Sequence, residues 1–211
     1  MNRPMKKSSS AESVPGQTLV RGYESLKGKY LVPDFPLDMS AVKYIFILES
    51  PHKDELKHGC PAAGYTGRNM SAKLFGPKLP PLGRMIRDND PACRSFGIMN
   101  VCPVPMQGSA YKAAPLNAEA HSAIAALEVL RTVPGKGSPE LYQAILRDFS
   151  ARVKALRGGT VLLACGNLAA DACVRLGIEP SYRLLHPYCW NFGMARASLA
   201  ACPLFPAKIR S

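Results

Sequence analysis

The run Val42-Lys43-Tyr44-Ile45-Phe46-Ile47-Leu48, followed at once by Glu49-Ser50-Pro51-His52, decides how the rest of the chain is read. Its aliphatic and aromatic residues suit a pleated strand, and they leave no polar face for water. A strand apolar on both faces must be covered on both. Parallel sheets with helices above and below are the architecture that does this. A carboxylate, a hydroxyl and an imidazole then crowd the strand's carboxyl end, which is where open parallel sheets bind ligands.

Working outward, three further runs share this character. Residues 97–101 form a second expected strand that carries Asn100 to its end and stops at a Pro103 loop. Residues 160–164 form a third, and residues 182–185 a fourth, broken by His186-Pro187. Helical patterns lie between them. Asn117 is a suitable cap for a helix reaching about Arg131, with Ala120, Ile124, Leu127 and Leu130 facing inward. Ser138-Pro139-Glu140 is a cap, a first-turn proline and an acid, and opens a helix that Gly158-Gly159 ends. Asn167 opens a short helix stopped by Gly177. The Pro-rich stretches 77–81 and 103–115 are expected loops. The expected fold is α/β: a single three-layer α/β/α domain over residues 20–211 with a central, mainly parallel four-stranded sheet. The Ser-rich, aperiodic residues 1–19 are expected to be a flexible tail.

Composition narrows the class. A chain of 211 residues with 47% apolar and 20% charged content suits one globular domain. No apolar run approaches the roughly 20 residues a membrane helix needs. No apolar core follows Arg3, Lys6 and Lys7, as a secretion signal would require. A cytoplasmic monomer without a membrane partner is expected. The cysteines number 7 and include no C-x-x-C pair, so neither a disulfide framework nor a zinc ribbon is expected. With 27 basic against 15 acidic residues the formal charge is +12, which draws polyanions.

Four loops follow the expected strands. The first carries Glu49 and His52, suited to acid–base work or to a metal. The second carries Asn100, whose planar amide pairs a donor with an acceptor and suits the edge of a base such as uracil. The third, Ala164-Cys165-Gly166-Asn167, is a strand-to-helix turn that either faces a phosphate with free N–H groups or simply packs. The fourth reads Leu185-His186-Pro187-Tyr188-Cys189-Trp190. Its His186 can stabilise charge on a leaving group, while Tyr188 and Trp190 can stack on bases or wedge into a duplex.

Taken in order, a strand with Glu-x-Pro, then Pro61-Ala62-Ala63-Gly64-Tyr65-Thr66-Gly67, a strand ending in Asn100, a strand–Gly–helix turn and His186-Pro187 resemble the uracil-DNA glycosylase superfamily over residues 42–196. Glu49 stands where the iron–sulfur branch has the glutamate of its Gly-Glu-x-Pro-Gly motif, and Ser50 where another branch has its catalytic aspartate. Leu48 replaces the motif's opening glycine, and His52 the tyrosine or glycine that closes it. Asn100 matches the base-reading asparagine, and His186 the histidine of the final His-Pro-Ser-type motif, with Tyr188 in place of the serine. After Pro61 the family's stacking aromatic is replaced by Ala62, and Tyr65 is the expected substitute. The iron–sulfur branch's cysteine set is missing, so no cluster is expected. The resemblance implies a DNA glycosylase that flips a uracil or other deaminated base from single- or double-stranded DNA and hydrolyses its N-glycosidic bond without a metal or other cofactor. Glu49, His52 and His186 would be catalytic. Asn100, Tyr65, Ser50 and Pro51 would surround the base, and Tyr188, Trp190 and Arg196 would touch DNA, with Arg84 and Arg87 as further phosphate contacts. Two other readings stay open: a metal-dependent hydrolase using Glu49, His52, Asp54 and His58, and a non-catalytic nucleic-acid or nucleotide binder of the same fold.

Overall fold

The computed structural model of the protein describes residues 15–111, 115–192 and 195–205. Four strands, β1 (Tyr44–Leu48), β2 (Phe96–Asn100), β3 (Val161–Cys165) and β4 (Tyr182–Leu184), form one sheet in the order β2-β1-β3-β4. Every pairing is parallel. Alternate residues of a strand face opposite sides, and β1 divides its apolar set accordingly. Ile45 and Ile47 enter one core with Tyr23, Leu26, Leu127, Ile145 and Phe149. Phe46 and Leu48 enter another with Met70, Leu82, Trp190, Leu199 and Phe205. Helices α1 (Pro15–Tyr30), α5 (Ala118–Thr132), α6 (Pro139–Lys154) and α7 (Asn167–Arg175) contribute to the first core. The shorter α3 (Tyr65–Phe75), α4 (Leu82–Arg87) and α8 (Arg196–Ala200) contribute to the second. The sheet thus lies between two helical layers, and α2 (Lys53–His58) follows the loop after β1.

The caps read from the sequence operate as expected. Asn117 Oδ1 accepts the Ala120 N–H at 2.8 Å, and Ser138 Oγ accepts that of Leu141 at 3.3 Å. One expectation needs correction, and one region adds elements that the sequence did not assign. The helix α1 begins at Pro15, so residues 15–19 belong to the domain; Leu19 and Val20 pack on its core. The remaining tail residues, 1–14, lie outside the described residues. The region 53–87, which the sequence left without helices, contains α2, α3 and α4. Within the 103–115 loop a 3-10 turn spans Gly108–Tyr111, while residues 112–114 lie outside the described residues. Among the described residues no helix is long and apolar enough to cross a membrane.

Topology places the site. The chain steps from β1 to β2 on one side, then returns to place β3 on the other. Loops leaving β1 and its neighbours diverge at that point, opening a crevice beyond the carboxyl ends.

Candidate functional site

A cleft of about 500 Å³ occupies that crevice, within the roughly 300–1,000 Å³ usual for small-molecule sites. Glu49, Ser50 and His52 reach it from the β1 loop, Asn100 from the end of β2, and His186 and Tyr188 from the loop after β4. Parallel register sets Leu48 opposite Asn100, so the first residues past β1 sit beside that asparagine. The convergence of Glu49, Asn100 and His186 expected from three separate strand ends is therefore present.

Asn100 is 2% exposed, and among the described residues its side-chain amide makes no hydrogen bond. Its amide atoms are not sealed from solvent, so water or a ligand in the cleft can supply their partners. Its backbone, by contrast, is held. Arg152 Nη2 donates to the carbonyls of Asn100 and Val101 at 2.8 and 3.0 Å. Its Nη1 donates to both Asp34 oxygens at 2.8 Å. The Asn100 backbone is thus fixed from behind, and its side chain lines the cleft.

Burial acts on the two titratable groups beside it. It pushes the Glu49 carboxyl up to about 7, opposed in part by Arg131, whose Nη1 lies 3.9 Å from Glu49 Oε1. His186 is pushed down to about 4, first by burial and then by the same Arg131. Its Nδ1 accepts the Tyr188 N–H at 3.2 Å, which assigns the ring proton to Nε2. At neutral pH the cleft holds a neutral N–H donor and a carboxyl that can take or give a proton.

Other side chains bind the loops to one another. Glu55 is buried, and its carboxylate accepts the backbone N–H groups of His52 at 3.0 Å and Gly64 at 3.3 Å. His52 Nε2 lies 3.4 Å from Ser109 Oγ at the cleft wall. On α3, buried Asn69 donates to the carbonyls of Pro187 and Tyr188 at 3.1 and 3.3 Å and accepts from Asn191 at 2.7 Å. That helix therefore holds the His186 loop. It rests directly on the segment before it: a Cβ on Gly67 would lie 1.8 Å from the Ala62 carbonyl oxygen, and one on Gly83 of α4 would lie 1.6 Å from that of Pro61. Ala62 lines the cleft with a left-handed φ of 50°.

Several expected roles are corrected. Trp190 is not a wedge: it is 2% exposed, donates Nε1–H to the Leu185 carbonyl at 2.7 Å and meets Phe205 edge-on at 5.1 Å. Pro51 is buried and does not line the cleft. Arg196 is exposed at the start of α8, outside the cleft, a position open to the outer DNA contact expected of it. Arg84 and Arg87 of α4 do not line it either, and Arg87 is engaged with Asp88 at 2.8 Å and the His58 carbonyl at 3.3 Å. The Gly166 turn packs: its N–H donates to the Leu184 carbonyl at 2.8 Å, and neither Gly166 nor Asn167 reaches the cleft. Of the proposed metal set, Glu49, His52 and Asp54 line the cleft and His58 does not. Among the described residues no group of three or more His, Cys, Asp or Glu side chains is placed to hold a metal ion.

Tyr65 and Tyr188 stand at the rim, both about half exposed, with ring centroids 5.6 Å apart. Phe192 extends the row at 6.3 Å from Tyr188. Sequence reasoning missed Phe192, Asn69 and Arg131. An arginine in the last turn of a helix ordinarily reads as a partner of the helix dipole, so nothing local marked Arg131 as a cleft residue. Compared with known proteins, the chain matches no protein-family model, no curated protein and no solved structure.

Proposed function

We propose that the cleft is the active site of a DNA glycosylase that hydrolyses the N-glycosidic bond of a flipped uracil or other deaminated base. One observation carries this reading: the side-chain amide of Asn100, free of protein partners among the described residues, faces a cleft it shares with a carboxyl whose pKa is raised to about 7 and a neutral imidazole donor. Uracil presents an acceptor, O4, beside a donor, N3–H, and an asparagine amide complements both. The bond from the sugar C1′ to the base breaks with its electron pair leaving on the base. The Nε2–H of His186 donates to a base carbonyl oxygen as that charge develops. Ionised Glu49 stabilises the sugar cation and accepts the proton of the water whose oxygen adds to C1′, and the base anion is then protonated. Tyr65 and Tyr188 stack on the nucleotides at the mouth.

A panel of labelled oligonucleotides bearing uracil, hypoxanthine, xanthine or a mismatched thymine tests the reading, with abasic sites revealed by alkali. At least one deaminated base is expected to be released, and Glu49→Gln is expected to slow that release by about a hundredfold or more. Failure of wild-type protein to release any base would defeat the proposal. A second reading has its own support: Ala62, which lines the cleft, takes the place of the stacking aromatic in the glycosylase resemblance, which suits a nucleotide-binding pocket without chemistry. There, changes at Glu49 and His186 would alter binding alone.

A further inference from the structure

Arg131 is the cleft residue that neither motif nor topology explains. It leaves the last turn of α5 and lines the same cavity as Asn100 and His186. Its Nε is fully buried with no hydrogen-bond partner, although the side chain as a whole is 33% exposed. Its charged neighbour, Glu49 Oε1, lies at 3.9 Å, beyond hydrogen-bond reach. Among the described residues its guanidinium makes no hydrogen bond. Its Nε is sealed from solvent, whereas the Nη groups reach the cleft, so an acceptor carried by a ligand there could pair with them.

The surroundings decide what kind of acceptor. Glu49, Asp54 and Glu55 also line the cleft. Glu55 is occupied by two backbone amides, but Glu49 and Asp54 would repel a multiply charged phosphate. A planar ligand with one negative charge spread over carbonyl oxygens meets one cation and the neutral donors of His186 and Asn100. We infer that Arg131 is the counter-ion of a nucleobase held in the cleft as its anion, a role that rests on the glycosylase reading for its catalytic consequence. The anion is the leaving group at bond rupture. Glu49 and Arg131 then form a charge pair opposed in polarity to the reacting pair: the carboxylate faces the sugar cation and the guanidinium faces the base. His186, being neutral, shares a proton with the base but cannot balance its charge, so Arg131 supplies that term.

Two measurements separate this role from the reading it rests on. The first is calorimetric binding of free bases at mildly alkaline pH: 5-nitrouracil, which is anionic there, against thymine, which is neutral. Wild type is expected to favour the anion by about tenfold or more. In Arg131→Met the preference disappears while thymine binding is retained, and Arg131→Lys keeps part of it. Equal affinity of wild type for both bases, or equal loss of both in Arg131→Met and Arg131→Lys, overturns the role. This arm decides the matter even where no base is excised. The second compares release of uracil and 5-fluorouracil from oligonucleotides at saturating protein. Arg131→Met is expected to slow uracil by about a hundredfold, the scale of a lost oxyanion partner. It should slow the better leaving group distinctly less, because less charge stabilisation is needed. A uniform slowing of both would mark Arg131 as structural.

Discussion

Burial penalises charge on Glu49 and His186 alike, and the results are opposite because one is an acid when neutral and the other a base. The carboxyl holds its proton up to about 7, and the imidazole loses its own by about 4. The sign of the pH dependence follows. Below about 7, Glu49 is protonated and cannot accept a proton from water; above it, the carboxylate is available, while His186 stays neutral throughout. Single-turnover base release should therefore rise with pH through about 7 and level off, with no fall from His186 titration. A profile that falls as pH rises through neutrality would assign the base role elsewhere. Glu49→Gln keeps the shape and removes the charge. It should retain oligonucleotide affinity and lose about a hundredfold or more in release rate, read by gel shift and alkali cleavage on the same complex. These side chains were legible because each is among the first polar residues after an apolar run. Trp190 was misread for the complementary reason: a single tryptophan after His-Pro carries no mark of the core that Phe46 and Phe205 complete around it.

Among the elements, α3 governs the site's geometry although it contributes no catalytic group. Asn69 holds the carbonyls of Pro187 and Tyr188, the two residues that follow His186, and Gly67 lets the helix lie on the Ala62 carbonyl. Asn69→Ala leaves two carbonyls and the Asn191 amide without their partner in a buried setting. A loss of about 1–3 kcal/mol is expected in denaturant unfolding, with a fall in release rate as His186 loses its register. Gly67→Ala must move backbone rather than a side-chain tip, so it should destabilise by at least as much. The same helix shows where sequence reading stops. The strands were visible from their β-branched and aromatic runs, and α5 and α6 from Asn117 and Ser138. By contrast α3 starts at Gly64 with no side-chain cap, and α2 and α4 are six residues each. In α1 a helical apolar stripe, Leu19, Tyr23, Leu26 and Tyr30, is interrupted by Gly16, Gly22 and Gly28, residues that ordinarily weaken a helix. Gly22 is required by packing: a Cβ there would lie 2.2 Å from the Glu119 carbonyl oxygen of α5. That close approach is a tertiary fact, and no local pattern announces it.

For the whole molecule, strand order and net charge act together. The order β2-β1-β3-β4 opens the crevice at the carboxyl ends, and a net charge of +12 favours polyanionic partners in general. Inside the cleft the balance is different: Glu49, Asp54 and Glu55 oppose Arg131, so the cavity itself does not favour phosphate. On the proposed glycosylase reading, phosphate contacts fall to outer-surface residues such as Arg68, exposed one turn along α3 from Tyr65, and Arg196 on α8. This division predicts two salt responses from one protein. Oligonucleotide affinity should fall with rising salt along a log–log slope of about −2 or steeper, which corresponds to three or more phosphates at roughly −0.7 to −0.9 each. Binding of a neutral free base such as thymine should hardly change over the same range, because it contacts no phosphate and releases no condensed counterions. Replacing Arg68 and Arg196 together by alanine should lower the oligonucleotide slope by about 1 to 2 and leave free-base affinity as it was. An oligonucleotide affinity that is flat with salt would mean that the positive surface does not grip a phosphate backbone. The partner would then be a small molecule that enters the cleft on its own.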